Sequence, residues 1–253
     1  MTLLYTKEQK ALIKLIHDVA EQELKPYVAE ADRAGECPAE LYEFGFDLGL
    51  HLVEVPKEYG GTGLDYETTA MIFEELAKVD AGYAITFVAL RNVILAGTPE
   101  QAQYFADVVK QRQFAAFALT EPNAGSDVAS LRSTAVETEE GYLLNASKTF
   151  ITNGGLAQIY IVFCKTDPEA GAHGITAFIV DRSMPGVKVG AEEDKMGLRL
   201  SNTTELILDN VIVPKNRVLG KVGEGMKLAL NALNLSRAFV CTMGVGIMQR
   251  ALD

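Results

Sequence analysis

The sequence predicts a multi-domain protein in which helices and β-strands occupy separate stretches of the chain. Apolar residues recur at helical spacing up to about residue 114, and short β-favouring runs separated by Gly, Asn, Asp and Pro follow them. Helical spacing returns from residue 223. We therefore predict an N-terminal α-helical domain at residues 1–114, a middle antiparallel β-barrel or sandwich at 115–222, and the first helix of an incomplete C-terminal helical domain at 223–253.

Two amphipathic helices are predicted within the first domain. Residues 10–29 and residues 65–77 place apolar side chains three or four positions apart, with charged residues between them. Thr98 is a predicted N-cap, because Pro99 suits the first helical turn and Gln101 can return a hydrogen bond to the cap.

The predicted strands of the middle domain are short and stand at hairpin intervals. A first strand is expected at residues 117–119, ahead of a turn rich in Pro, Asn, Gly and Ser. Six further β-favouring runs follow at residues 134–137, 142–144, 159–164, 175–180, 187–189 and 206–208.

The last predicted helix starts near Gly223. Its Gly244 and Gly246 could permit close contact with a neighbouring helix. The sequence stops at Asp253 with no C-cap glycine or proline, and a long amphipathic helix with no partner after it would expose apolar surface. We therefore expect the chain to end inside a domain.

Composition excludes some classes of function. The 253 residues carry a net charge of −11, with 48% apolar and 23% charged residues. These are the proportions of an ordinary globular protein, and the acidic balance argues against nucleic-acid binding, which needs a basic face. A local group of basic residues would still be sufficient for a phosphate-bearing ligand.

The cysteines and histidines predict neither disulfides nor a metal site. Three cysteines are widely spaced, and Cys164 lies in an apolar run where a buried reduced thiol is expected. The three histidines are scattered. No basic leader and no apolar run of about 20 residues is evident, so we expect a cytoplasmic protein without a membrane partner.

Two segments have the residues of a ligand site. FALTEPNAGSDV at residues 117–128 joins an apolar strand to a turn with free amides and the hydroxyls of Thr120 and Ser126. Small residues there let a ligand approach the backbone. SKTFITNGG at residues 147–155 adds an aromatic ring, Phe150, and a hydroxyl, Thr152. Alone, its Asn-Gly-Gly would be more typical of a plain hairpin turn; together the two segments suit a planar heterocycle.

With these two motifs the chain resembles the acyl-CoA dehydrogenase family of flavoproteins over almost its whole length. A third segment, MGLRLSNTTEL at residues 196–206, leads to VIVP at 211–214 and also fits the family pattern. The family has an N-terminal helical domain, a middle β domain and a C-terminal helical domain. Residues 54–63, with Pro and three glycines, predict a surface connection, and the resemblance would place them near the acyl pocket.

The resemblance implies an FAD site. Contacts along one edge of the cofactor would come from Phe117, Leu119, Thr120, Gly125 and Ser126. The isoalloxazine ring would be flanked by Phe150, Ile151 and Thr152, with the Thr152 hydroxyl near N5. Many family members carry Trp at the position of Phe150, which lacks the indole N–H donor.

The resemblance also implies an acyl-CoA site. Ser126 would meet the CoA arm, and the substrate-binding segment of the family matches Asn234, Leu235, Ser236 and Arg237. Without the resemblance, Arg237 fits a solvated helix charge equally well. His173 could touch the CoA arm, but an ordinary exposed turn residue is the favoured interpretation.

The family's reaction removes two hydrogens from an acyl-CoA thioester, and a carboxylate takes the α proton. In most members that base lies in the third domain; in others it precedes the motif's arginine, where this chain has Ser236. We therefore predict no catalytic residue within these 253 residues and little activity of the chain alone.

The predicted function is that of an FAD-dependent acyl-CoA dehydrogenase. Electrons would pass to an electron-transferring flavoprotein, and a complete protein would be a homo-oligomer, usually a homotetramer. The alternative is a non-catalytic flavin- and acyl-CoA-binding subunit completed by another polypeptide. Neither the acyl chain length nor the electron acceptor is specified by the sequence.

Overall fold

The first helices form one continuous path with a single irregular turn. The computed structural model describes residues 5–88 and 95–253. Helix α1 (Lys7–Val19) passes through a π-helical segment, Ala20–Leu24, into α2 (Lys25–Ala34). The sequence predicted one regular helix here. The extra residue of a π turn rotates the following helix face, and the first and last residues of this turn, Ala20 and Leu24, are both buried.

Capping side chains define the next helices of the N-terminal part. After α3 (Ala39–Asp47), helix α4 (Tyr66–Val79) begins at Asp65, whose carboxylate accepts a hydrogen bond from Thr68 N at 2.7 Å. Helix α4 confirms the prediction for residues 65–77. A short helix, α5 (Ala81–Thr86), follows it with Asp80 as N-cap.

Helix α6 (Pro99–Lys110) has the predicted capping box. Gln101 N donates to Thr98 Oγ1, and Thr98 N donates to Gln101 Oε1 at 3.0 Å. The connection at residues 54–63 is only partly a surface segment. Its Glu54 and Val55 are buried, and a 3₁₀ turn at Lys57–Tyr59 follows them.

One eight-stranded sheet forms the middle part of the chain and confirms the predicted β domain. The six predicted runs lie in β2 to β7, and β1 begins three residues before the predicted first strand. The strands are β1 (Phe114–Ala118), β2 (Thr134–Glu137), β3 (Tyr142–Thr152), β4 (Ala157–Lys165), β5 (Ile175–Asp181), β6 (Val187–Glu192), β7 (Thr203–Val213) and β8 (Val218–Leu219).

The sequence predicted an antiparallel sheet, but the observed sheet also contains parallel pairs. Its order is β6-β7-β3-β2-β4-β5-β8, and β1 also pairs with β4. Both β1 and β2 run parallel to β4. The chain reverses direction between β2 and β3 and again between β3 and β4. After two reversals β4 runs in the same direction as β2, and β2 lies beside β4 in the sheet. Residues 119–133 therefore form an excursion between two strands on the same edge of β4.

The last helix, α7 (Gly225–Leu252), packs on α4. The rings of Phe73 and Phe239 lie 5.4 Å apart. A methyl group built on Gly246 would overlap Glu74 O, whereas one built on Gly244 would meet nothing within 4 Å. The predicted close helix contact is therefore made at Gly246.

The second half of α7 exposes several large apolar side chains. By length and composition, α7 could cross a membrane: an 18-residue window has a mean hydropathy of 1.3, and 22% of that window is buried. No apolar run of this length was predicted from the sequence. One such helix is weak evidence for a membrane span, because helices packed in a protein core meet the same criteria.

Candidate functional site

The two motif segments lie side by side in the sheet. Thr149 N donates a hydrogen bond to Thr120 O at 3.0 Å, which joins the end of the first strand directly to β3. The ring of Phe117 packs on Phe163 of β4 with centroids 4.9 Å apart. The excursion at residues 119–133 therefore begins beside the part of β3 that leads into its following turn.

The first segment offers free backbone donors. Its turn is closed by mutual backbone hydrogen bonds between Glu121 and Ala124. The next three residues, 125–127, are exposed, and their amides donate no hydrogen bond within the described parts of the chain. A methyl group built on Gly125 would meet nothing within 4 Å. Successive free amides beside open space can bind an anion or another hydrogen-bond acceptor.

The second segment presents an aromatic ring outward. Phe150 has a φ of 56° and is 63% exposed, at a register shift in β3 between Lys148 and Ile151. Left-handed backbone costs an L-residue about 1–2 kcal/mol, and a bulky residue rarely adopts it. The strained backbone thus holds a large apolar ring in solvent, which is expected where a ligand covers it.

The burial of the proposed cofactor-binding residues differs. Phe117, Thr120 and Thr152 are half-buried, and Ser126 is exposed. Buried side chains at Leu119 and Ile151 belong to the core, so these two residues could touch a ligand only through backbone atoms. Their assignment to an FAD site stays a prediction.

The proposed substrate-binding segment lies on α7. Arg237 Nη1 donates to Asn234 Oδ1 at 2.5 Å, and Ser236 Oγ donates to Leu233 O at 3.1 Å. Leu235 is half-buried against the core. Among the described residues, the structure gives these side chains no hydrogen bond to the two motif segments. His173 is an exposed residue of the 3₁₀ turn Gly171–Gly174.

A buried ion pair, which was not predicted from the sequence, lies beneath both motifs. Lys148 Nζ lies 2.7 Å from Glu121 Oε1, and both side chains are almost completely buried. Burial alone would raise the pKa of Glu121, but the charge of Lys148 and hydrogen bonds from Arg132 and Ser133 together lower it. Glu121 and Lys148 each stand inside a motif, but nothing in the sequence signals that their side chains are buried together.

Within residues 5–88 and 95–253, no group of three or more His, Cys, Asp or Glu side chains could hold a metal ion. Cys37 and Cys164 are buried free thiols. Burial raises the pKa of the Cys164 thiol to about 12, so this group is protonated and unreactive at neutral pH.

Comparison with known proteins identifies the family. The chain matches the family models "Acyl-CoA dehydrogenase, N-terminal domain" at residues 6–110 and "Acyl-CoA dehydrogenase, middle domain" at residues 116–211. A relative from Acetobacterium woodii, described as a subunit of a caffeyl-CoA reductase–Etf complex, is 37% identical over 98% of this chain and 68% of its own length.

Solved structures agree with the family models. Butyryl-CoA dehydrogenase from Megasphaera elsdenii has a TM-score of 0.94 and 40% identity, and the match covers 100% of this chain and 68% of that one. Acyl-CoA dehydrogenase complexed with FAD from Bacillus anthracis has a TM-score of 0.85 and 36% identity, over 98% of this chain and 44% of that one.

The chain spans 61–68% of the length of the curated relatives it matches. Within that length, the arrangement of a helical part, a β sheet and one further helix is the same. The chain belongs to the acyl-CoA dehydrogenase family.

Proposed function

We propose that this chain supplies the FAD- and acyl-CoA-binding part of an acyl-CoA dehydrogenase. The observation that carries the proposal is the junction of the two motifs at the hydrogen bond from Thr149 N to Thr120 O, beside the exposed ring of Phe150. The bond lies next to the ring of Phe150 and the hydroxyl of Thr120, and the free amides of residues 125–127 follow in the same segment. An apolar ring face and hydrogen-bond donors are what an isoalloxazine needs.

The residues at the junction fit FAD. Phe150 offers an apolar face to a planar ring, and the free amides of residues 125–127 offer hydrogen bonds to its acceptor atoms. Thr152 can donate a hydrogen bond from its hydroxyl to a ring nitrogen. When bound, FAD supplies the capacity to accept a hydride; the chain supplies binding and orientation.

The acyl-CoA would lie between the first motif and α7. Ser126 and Arg237 are both exposed and polar, and a guanidinium can bind phosphate or carbonyl oxygen atoms. Removal of the α proton needs a base. Ser236 has no carboxylate, and its hydroxyl already donates to Leu233 O. We therefore propose that the chain alone oxidises acyl-CoA slowly.

Ser236 also favours a second candidate, a flavin- and acyl-CoA-binding subunit whose base comes from another polypeptide. The electron acceptor would in either case be an electron-transferring flavoprotein, a proposal supported by the Etf-complex description of the Acetobacterium woodii relative. Homo-oligomerisation, a cytoplasmic location, a role in fatty acid metabolism and the absence of membrane and nucleic-acid partners stay predictions.

Visible absorbance of the purified chain tests the proposal. FAD is added first, the excess is removed, and butyryl-CoA or a longer acyl-CoA is then added without oxygen. We expect a retained flavin spectrum that bleaches slowly or not at all. Failure to retain FAD contradicts the proposed binding function. Rapid bleaching contradicts the absence of a base and excludes the non-catalytic candidate.

A matched pair of variants tests the assignment of Thr152. Thr152→Val keeps the shape of the side chain but removes its hydroxyl, so the spectrum of bound flavin should shift and FAD should bind more weakly. Thr138→Val is the control, because among the described residues that hydroxyl bonds only to Gly141 O, in the turn after β2. Equal flavin spectra in the two variants would count against a contact between Thr152 and the ring.

A further inference from the structure

The buried pair of Lys148 and Glu121 joins both motif segments at their base. Lys148 Nζ donates to three acceptors, Leu119 O at 3.2 Å, Glu121 Oε1 at 2.7 Å and Phe163 O at 2.6 Å. An ammonium group has three N–H donors, so each of them has a partner. The side chain therefore connects β3 to the start of the excursion and to β4.

Glu121 connects the two ends of the same excursion. Its Oε2 accepts from Arg132 N at 2.6 Å, and its Oε1 accepts from Ser133 N at 3.1 Å and Ser133 Oγ at 2.5 Å. The carboxylate is thus fixed by groups eleven and twelve residues further along the chain. With Lys148, it closes the loop of residues 119–133 across its neck.

The charges of this network are fully compensated, and this has an energetic consequence. A buried ion pair that loses one partner leaves an uncompensated charge, whereas replacement of both partners by apolar residues is often close to neutral for stability. Stability alone therefore does not require a lysine and a glutamate at these positions. Unlike an apolar pair, the network makes hydrogen bonds to backbone atoms at both ends of the loop.

We propose that Glu121 and Lys148 are positioning residues that fix the 119–133 loop relative to the Phe150–Thr152 segment, so that the two segments present their donors and ring to one flavin. The inference rests on the proposed FAD-binding function. Lys148 is two residues from Phe150 and four from Thr152 on the same strand, and Glu121 follows Thr120 directly. A shift of the network would therefore displace both segments.

Three variants separate positioning from stability. E121Q keeps the shape of the side chain but leaves Lys148 uncompensated, and it places an amide donor where Arg132 N or Ser133 N needs an acceptor. The double variant E121L/K148M removes both charges. Ile72→Ala in α4 is the control, because it removes buried apolar volume at a site whose side chain lies outside both motif segments.

We expect the following results from thermal unfolding and FAD titration of the 253-residue chain. E121Q and Ile72→Ala both lower the unfolding midpoint, but only E121Q weakens FAD binding, by about tenfold or more. The double variant regains much of the lost midpoint and still binds FAD weakly, since the loop remains untethered. Double-variant FAD affinity equal to that of the unmodified chain would overturn the proposal.

Amide hydrogen exchange without FAD gives a second readout. E121Q should accelerate exchange at Arg132 and Ser133 by a larger factor than Ile72→Ala does, because the carboxylate acceptor is lost. Equal exchange in the two variants overturns the positioning role. If the unmodified chain binds no FAD, the proposed function fails by itself, and exchange still decides whether the network fixes the loop.

If E121Q does not fold, Ser133→Ala replaces it. This variant removes only the 2.5 Å bond from Ser133 Oγ to Glu121 Oε1 and leaves the ion pair in place. We expect a smaller loss of FAD affinity, in the same direction, with faster exchange at Ser133. Unchanged affinity and exchange would contradict the proposal.

Discussion

Phe150 combines two unfavourable properties that point to the same use. A ring that is 63% exposed gains little from burial, and a φ of 56° is strained for any bulky L-residue. Both unfavourable properties fall on one residue near the end of the long strand β3. We interpret this as local stability given up for a ligand-binding surface.

Substitution of Phe150 should therefore separate its effect on stability from its effect on FAD binding. Asn tolerates the left-handed region better than Ala does, and neither residue has a ring. We expect Phe150→Asn to be more stable than Phe150→Ala by about 0.5–1 kcal/mol, measured by urea unfolding. Both variants should bind FAD about tenfold more weakly, because the stacking face is lost.

Both variants lose the ring, so the difference in stability between Phe150→Asn and Phe150→Ala reports mainly the backbone preference at residue 150. Equal stabilities of the two variants would show that the backbone at residue 150 is not strained in solution. Retention of full FAD affinity by either would remove the ring from the proposed site.

At the scale of elements, the contact between α4 and α7 depends on one glycine. Gly246→Ala should force α7 away from the backbone of α4 at Glu74 and lower the free energy of unfolding by about 1–3 kcal/mol. Gly244→Ala is a matched control on the same helix, since its methyl group would meet no atom within 4 Å. That variant should gain up to about 1 kcal/mol from helix propensity.

Urea unfolding of the two alanine variants measures this difference directly. Opposite signs are expected for two identical changes only two residues apart. If Gly246→Ala stabilised the protein as much as Gly244→Ala, α7 would not pack on α4 as the structure describes.

Local signals were sufficient to predict most elements. The capping box of Thr98 and Gln101 and the cap at Asp65 are formed by neighbouring residues, so sequence alone specifies them. The parallel course of β1 and β2 beside β4 depends on which strand lies between which, and no local pattern contains that information.

The candidate site, too, could be predicted only in part from the sequence. Its ring, hydroxyls and glycine were predicted from the motifs, because these residue types stand together in two short segments of the sequence. Complete burial of Lys148 results from acceptors on residues 119 and 163, which are 29 and 15 positions away along the chain. Charged residues are normally exposed, so sequence reasoning could not predict that this pair lies in the core.

At the scale of the whole molecule, the helical part and the sheet are joined by polar contacts around a buried junction. Asn153 Nδ2, in the turn after β3, donates to Thr86 O of α5 at 2.9 Å. Arg199 Nη1 lies 2.9 Å from Asp32 Oδ2 of α2. His51 lies at the same junction and packs on Phe46, with ring centroids 5.0 Å apart.

His51 makes this junction sensitive to acid. It is only 6% exposed, and its Nδ1 has no hydrogen-bond partner within residues 5–88 and 95–253. Burial, with a smaller contribution from the positive charge of Arg112, lowers the pKa of His51 to about 4 from 6.5. Between those two pH values the unfolded chain binds a proton at this residue and the folded chain does not, so folding stability falls as the pH is lowered.

We therefore expect His51 to contribute a loss of about 2–3 kcal/mol in the free energy of unfolding as the pH falls from 7 to 4. His51→Phe keeps an aromatic ring beside Phe46 and removes both the titration and the unpaired nitrogen. The difference in stability between this variant and the unmodified chain, measured by urea unfolding at each pH, should grow across that range. His173→Gln is the control, because His173 is exposed in the 3₁₀ turn Gly171–Gly174 and its side chain makes no hydrogen bond to the described residues. A pH-independent difference for His51→Phe would contradict a pKa of His51 lowered by burial in the folded chain.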